Sequence, residues 1–165
     1  MARRRPDALV VPGKADTMNH ATGHVSDTLE TRPPKRLLIV DDDHDITASL
    51  KIGLERRGME IVTFNDPLKA LEELKGEHRY DLIISDISMP NMNGFEFYRE
   101  IRKNDASTPI AFLTAFEVHQ YQFEKMFRDL RPRALFGKPI GIAELATHID
   151  EILDGHEESN SRQRL

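Results

Sequence analysis

The chain has 165 residues, with 23 Lys and Arg against 28 Asp and Glu and a formal net charge of −5. That length fits one domain with tails and is enough to bury a core without staples. Cys is absent, which excludes disulfides, thiolate nucleophiles and Cys-based zinc sites. No run approaches the roughly 18 apolar residues of a bilayer span, and the acidic balance argues against non-specific nucleic-acid binding.

The charge is uneven: +1 over 1–34, −6 over 35–155 and zero over 156–165. The first stretch lacks periodicity. Its apolar run Ala8-Leu9-Val10-Val11, between Pro6 and Pro12, is too short for a secretory signal. Residues 1–34 are expected to be a disordered tail with a solvated basic end, Arg3-Arg4-Arg5, and Met18 is a second candidate start. Residues 156–165 are expected to be a flexible polar tail.

Between the tails, strand and helix patterns alternate. Leu37-Leu38-Ile39-Val40 is a continuous apolar run, as in a strand buried on both faces. Ile46, Ser49, Leu50, Gly53 and Leu54 recur at helical spacing, and Gly58 follows as a stop. Met59 to Phe64 reads as a second strand. Asp66-Pro67 supplies an N-cap and a first-turn proline for a helix carrying Ala70, Leu71 and Leu74. Tyr80 to Ser85 is a third strand, and Pro90 to Gly94 a turn. Phe95, Tyr98 and Ile101 mark a third helix, and Pro109 to Leu113 a fourth strand. Phe123, Met126, Phe127 and Leu130 stripe a fourth helix, and Ala134 to Gly137 is a fifth strand. Ile142, Leu145, Ala146, Ile149 and Leu153 mark a fifth helix, closed by Gly155.

Five such units predict an α/β fold with a doubly wound parallel sheet. Ligands of such sheets bind beyond the carboxyl ends of the strands. Those ends carry Asp41-Asp42-Asp43 after strand one, Asp86 after strand three, Thr114-Ala115 after strand four and Lys138-Pro139 after strand five. Clustered carboxylates repel, and a hard divalent cation such as Mg²⁺ relieves this. Carboxylates, a hydroxyl, an ammonium and a metal site together suit phosphoryl transfer, in which Asp can be the acceptor. Asp43 and Asp45 also read simply as helix N-terminal residues. The seven His are scattered without metal-ligand spacing, and no glycine-rich phosphate loop is present.

Taken together, Leu38-Ile39-Val40-Asp41-Asp42, Ser85-Asp86, Met89-Pro90-Asn91-Met92-Asn93-Gly94, Leu113-Thr114-Ala115 and Lys138-Pro139 resemble the motif set of response regulator receiver domains of the CheY type. The intervals match as well: 44 residues from Asp42 to Asp86, 28 to Thr114 and 24 to Lys138. The resemblance covers 35–155 and implies a flavodoxin-like five-stranded parallel sheet in the order 2-1-3-4-5. It implies a single-domain cytoplasmic response regulator in a two-component phosphorelay, catalysing only its own phosphorylation and dephosphorylation. Asp86 would accept a phosphoryl group from a phosphohistidine of a sensor histidine kinase or phosphotransfer protein. Asp42 would ligate Mg²⁺ directly and Asp41 largely through water, with Asp86 and the Ser88 backbone carbonyl as further ligands. Thr114 would bind the arriving phosphoryl group, and Lys138 would pair with a carboxylate and then with a phosphoryl oxygen. The Lys138–Pro139 bond would be cis. Ser88 and Phe116 would flank the pocket and tune the lifetime of the phosphorylated state.

Output would pass to another protein through the face of the fourth helix, fifth strand and fifth helix, without direct DNA or membrane binding; a homodimer is left open. Three features depart from the pattern. Leu135 stands where an aromatic switch residue is usual, with Phe136 on the other face. Leu130-Arg131-Pro132-Arg133-Ala134 replaces the usual Gly-Ala, and Asn93 replaces a common Asp. Two other readings remain open: an adaptor that binds without phosphorylation, and a haloacid dehalogenase-type phosphatase using Asp41.

Overall fold

The computed structural model describes residues 33–115, 125, 128, 130 and 132–163. The expected N-terminal tail up to Arg32, and most of the fourth expected helix, including Phe116, Phe123, Met126 and Phe127, lie outside the described residues. In that fourth stretch Lys125, Arg128 and Leu130 have helical backbone. The elements are β1 (Arg36–Val40), α1 (His44–Glu55), β2 (Glu60–Phe64), α2 (Pro67–Leu74), β3 (Leu82–Ser85), α3 (Gly94–Arg102), β4 (Ile110–Thr114), β5 (Ala134–Gly137) and α4 (Ile142–Gln163).

The five strands form one parallel sheet in the order β2-β1-β3-β4-β5, as the resemblance implied. From β1 the chain turns to one side to make β2 and to the other to make β3, which creates a switch point between β1 and β3. The register aligns the strand ends there. Val40 pairs with Ser85 and Phe64, and Thr114 with Gly137. The residues that follow these positions therefore emerge along one edge.

Side-chain alternation divides the core in two. Leu37 and Ile39 point into a cluster with Leu50 and Leu54 of α1 and Leu145, Ile149 and Leu153 of α4. Leu38 and Val40 point into a second cluster with Ala70 of α2 and Phe97, Tyr98 and Ile101 of α3. Phe136 joins the first cluster and half-buried Leu135 the second, so the two residues do face opposite sides of the sheet.

The helix ends follow their local chemistry. Asp43 caps α1 by accepting the Asp45 and Ile46 N–H groups, and Asp66 caps α2 ahead of Pro67. Gly58 ends the first unit in the left-handed region at φ 85°, which a residue without Cβ adopts freely. Gly155 differs: it does not close the last helix, which runs on to Gln163. A Cβ on Gly155 would lie 2.8 Å from Nη2 of Arg133. This glycine accommodates a guanidinium against the helix instead of ending it.

β3 starts two residues later than the apolar pattern predicts, because Tyr80 serves a different purpose. Its hydroxyl donates to Glu73 Oε1 at 2.9 Å, and Arg36 lies 5.0 Å from its ring centroid. Burial, together with the Glu73 bond and charge, pushes the Tyr80 phenol up to about 12. A raised phenol contributes stability that is intact below its unfolded value of about 10 and lost as pH rises towards the folded value. The urea midpoint of the wild type is therefore expected to fall between about pH 10 and 12 more steeply than that of Tyr80→Phe. Equal slopes would remove Tyr80 as the cause.

Candidate functional site

The strand ends bring an ammonium group between two carboxylates. Asp41, 2% exposed, follows β1, and Asp86, 7% exposed, follows β3. Lys138 follows β5, and its Nζ reaches Asp41 Oδ2 at 2.5 Å and Asp86 Oδ2 at 3.3 Å. The other oxygen of each carboxylate takes a backbone amide. Asp43 N–H donates to Asp41 Oδ1 at 2.9 Å, and Ile87 N–H to Asp86 Oδ1 at 2.6 Å. Each acid is thus held at both oxygens, which fixes its orientation. The backbone is tied as well: Asp41 N–H donates to Phe64 O, and Asp86 N–H to Val40 O.

Burial pushes the Asp41 carboxyl above its usual value, and the bonds from Lys138 and the Asp43 amide offset this only in part. Burial alone would lower Lys138, but the bond and charge of Asp41 and the charge of Asp86 outweigh it and hold the ammonium above its usual value. Burial thus works against the Asp41 charge, while the neighbouring carboxylates support the Lys138 ammonium at a desolvated position.

Asp42 is exposed beside them, and carboxylate oxygens of Asp41, Asp42 and Asp86 lie within 4.8 Å of one another. Three carboxylates and one ammonium leave formal negative charge, and an all-oxygen donor set suits a hard divalent cation. The chemistry of the donors therefore fits Mg²⁺. Thr114 is 4% exposed at the end of β4, and its carbonyl accepts the Lys138 N–H at 2.9 Å. That bond brings the threonine beside the lysine. Ser88 is exposed, two residues beyond Asp86. The Lys138–Pro139 peptide is cis. Asp43 belongs to the helix cap rather than to the acidic trio.

Two supporting residues were not singled out for this role in the sequence. Asn93 caps α3, accepting the Phe95 and Glu96 N–H groups while Glu96 bonds back to its own amide. Gly94 opens that helix against the chain that leaves β3: its N–H donates to Ile87 O at 2.9 Å. A Cβ at Gly94 would stand 2.2 Å from the Asp86 carbonyl oxygen. The sequence signals only a turn at Gly94; the close approach depends on the partner strand.

A family model described as the response regulator receiver domain matches residues 37–150. The chain belongs to this family. The receiver is similar to the sensor protein EvgS of Escherichia coli K12, 35% identical over 123 residues that make up 74% of this chain and 10% of EvgS. It is also similar to the response regulator receiver protein CpdR of Brucella abortus, 29% identical over 72% of this chain and 97% of CpdR. The crystal structure of a CheY-like receiver domain protein from Methanospirillum hungatei matches with a TM-score of 0.70 at 27% identity, covering 76% of this chain and 98% of that one. The receiver spans well under two thirds of the length of the first curated relatives, between 10% and 48%.

The Gly94 contact yields a direct test. Gly94→Ala must displace the Asp86 carbonyl or the start of α3, and is expected to lower the unfolding free energy by about 2 kcal/mol. Gly137→Ala, with open space around its Cβ position, should stay within about 0.5 kcal/mol. Urea denaturation of the two variants checks the contrast.

Proposed function

We propose that this receiver is a phosphoacceptor that takes a phosphoryl group onto Asp86 in a Mg²⁺-dependent reaction. The observation that carries the reading is Lys138, held between Asp41 and Asp86 in a buried pocket with a third carboxylate beside it. In the step, an oxygen of the Asp86 carboxylate attacks phosphorus. The nitrogen–phosphorus bond of a phosphohistidine breaks, and its electron pair returns to the imidazole. Asp41, Asp42, Asp86 and the Ser88 carbonyl would hold the metal, which when bound supplies charge neutralisation on the phosphoryl oxygens. Thr114 would donate its hydroxyl to the transferred group. Lys138 would turn from the carboxylates towards a phosphoryl oxygen, so its position reports the state of the site.

The donor in this reading is a sensor histidine kinase or phosphotransfer protein in the cytoplasm. The output is a protein docked on the face of the fourth expected helix, β5 and α4, coupled to the site through Thr114 and Lys138, which border that segment. Leu135, half-buried against the α2–α3 cluster, leaves the aromatic-switch position filled by an aliphatic residue. Coupling in this chain therefore rests on the Thr114–Lys138 pair.

Intact-mass analysis after incubation with Mg²⁺ and acetyl phosphate tests the reading. The expected gain is one phosphoryl group, abolished in Asp86→Ala and by chelation of the metal. A gain that persists in Asp86→Ala would overturn the assignment of the acceptor.

A further inference from the structure

The network around the acidic loop extends to a residue that no reading of the strand ends includes. Asn65 directly follows β2 and is exposed at the rim of the sheet. Its Nδ2 donates to the Asp41 carbonyl at 2.8 Å and to Thr47 Oγ1 at 2.9 Å. A side-chain amide nitrogen carries two hydrogens, so both bonds can be made in full. Thr47 is 1% exposed in the first turns of α1. Its hydroxyl donates to the His44 carbonyl at 3.0 Å, leaving oxygen lone pairs to accept from Asn65.

These two bonds straddle the loop. One holds the carbonyl just before Asp42, and the other holds α1 just after the Asp43 cap. Asp42 is the exposed member of the trio, so its carboxylate is placed by the loop backbone and not by burial. The ordinary use of Asn ahead of a helix, accepting a first-turn N–H, is already filled at α2 by Asp66, which takes the Leu68 N–H at 2.9 Å. The Asn65 amide is directed the other way, onto the metal loop.

We propose that Asn65 is a positioning residue for the divalent cation, clamping the loop after β1 to the start of α1 so that the Asp41 and Asp42 carboxylates are set before the ion arrives. The inference rests on the metal-dependent reading of the site given above. Partners that orient ligands in this way tune affinity for the ion and the activity that depends on it. Thr47 is the other half of the clamp.

Calorimetric titration of the full chain with MgCl₂ tests this, alongside thermal melts in chelator. Asn65→Ala is expected to weaken Mg²⁺ binding about tenfold, the lower end for residues that orient ligands. Thr47→Val, which keeps the shape and removes the acceptor, should weaken it in the same direction. The double variant should fall no further than Asn65→Ala, because both act through one bridge. The Mg²⁺ concentration that half-saturates acetyl phosphate labelling should rise by the same factor, with the plateau rate changing less.

An Asn65→Ala protein with a lower melting temperature and unchanged Mg²⁺ affinity would overturn the proposal in favour of a structural role. Additive losses in the double variant would equally overturn the shared bridge. If Asn65→Ala does not fold, Thr47→Val reads the same bond from its other end. A wild-type chain that binds no Mg²⁺ would bring down the functional reading and the proposal together. A normal wild-type constant with no change in either variant would bring down the proposal alone.

Discussion

Lys138 and Asp41 are 97 residues apart in the chain and share a 2.5 Å contact in the folded protein. Both side chains are largely removed from water, at 13% and 3% exposure. Two carboxylates at a sheet edge repel, and only a cation between them makes the arrangement tolerable. Breaking such a buried arrangement by deleting one partner typically costs about 3–5 kcal/mol. The interaction therefore constrains the order and register of β1, β3 and β5. The three strands must end level, with Asp41, Asp86 and Lys138 each just beyond its strand. The observed register, Val40 against Ser85 and Thr114 against Gly137, meets that requirement. It also explains why the acidic trio sits at the switch point, where no helix crosses over the strand ends.

The backbone supports this charge arrangement with fixed dipoles. Amides of Asp43 and Ile87 occupy one oxygen of each acid, so neither carboxylate can rotate away from the lysine without losing a bond. The proposed phosphoryl transfer would draw on such preorganisation, because that chemistry depends on placement and electrostatics more than on covalent participation. α3 starts against the Asp86 carbonyl, and the Gly94 contact lets the two approach. On the other side of the sheet edge, β2 contributes Asn65. Strand ends that carry no reacting group thus still shape the site.

Most of the architecture was legible because buried parallel strands have a distinctive pattern. Leu37–Val40 and Leu82–Ile84 are uninterrupted apolar runs, and the acidic or basic residues that end them are conspicuous against that background. Asp66-Pro67 and Gly58 likewise state their purpose locally. Asn65, Gly94 and Gly155 did not, for a common physical reason. Each is defined by a neighbour distant in sequence: the Asp41 carbonyl, the Asp86 carbonyl and the Arg133 guanidinium. A glycine after a helical stripe looks like a stop whether it adopts a left-handed conformation, as Gly58 does, or makes room for an incoming side chain, as Gly155 does. Tyr80 was read into β3 for a similar reason. Its apolar ring fits the strand pattern, while the bond to Glu73 that moves it out of the strand lies across a loop.

The sheet that aligns the site also acts as a partition. Leu37 and Ile39 belong to one cluster, Leu38 and Val40 to the other, and the adjacent residues Leu135 and Phe136 repeat the division at the far edge. Among the described residues no side chain belongs to both compartments, since successive side chains of a strand point to opposite faces. Substitutions beneath α1 and α4 can accumulate without forcing compensation beneath α2 and α3. A lineage can therefore remodel one flank for a new partner while the opposite flank, and the charge arrangement at the strand ends, stays as inherited.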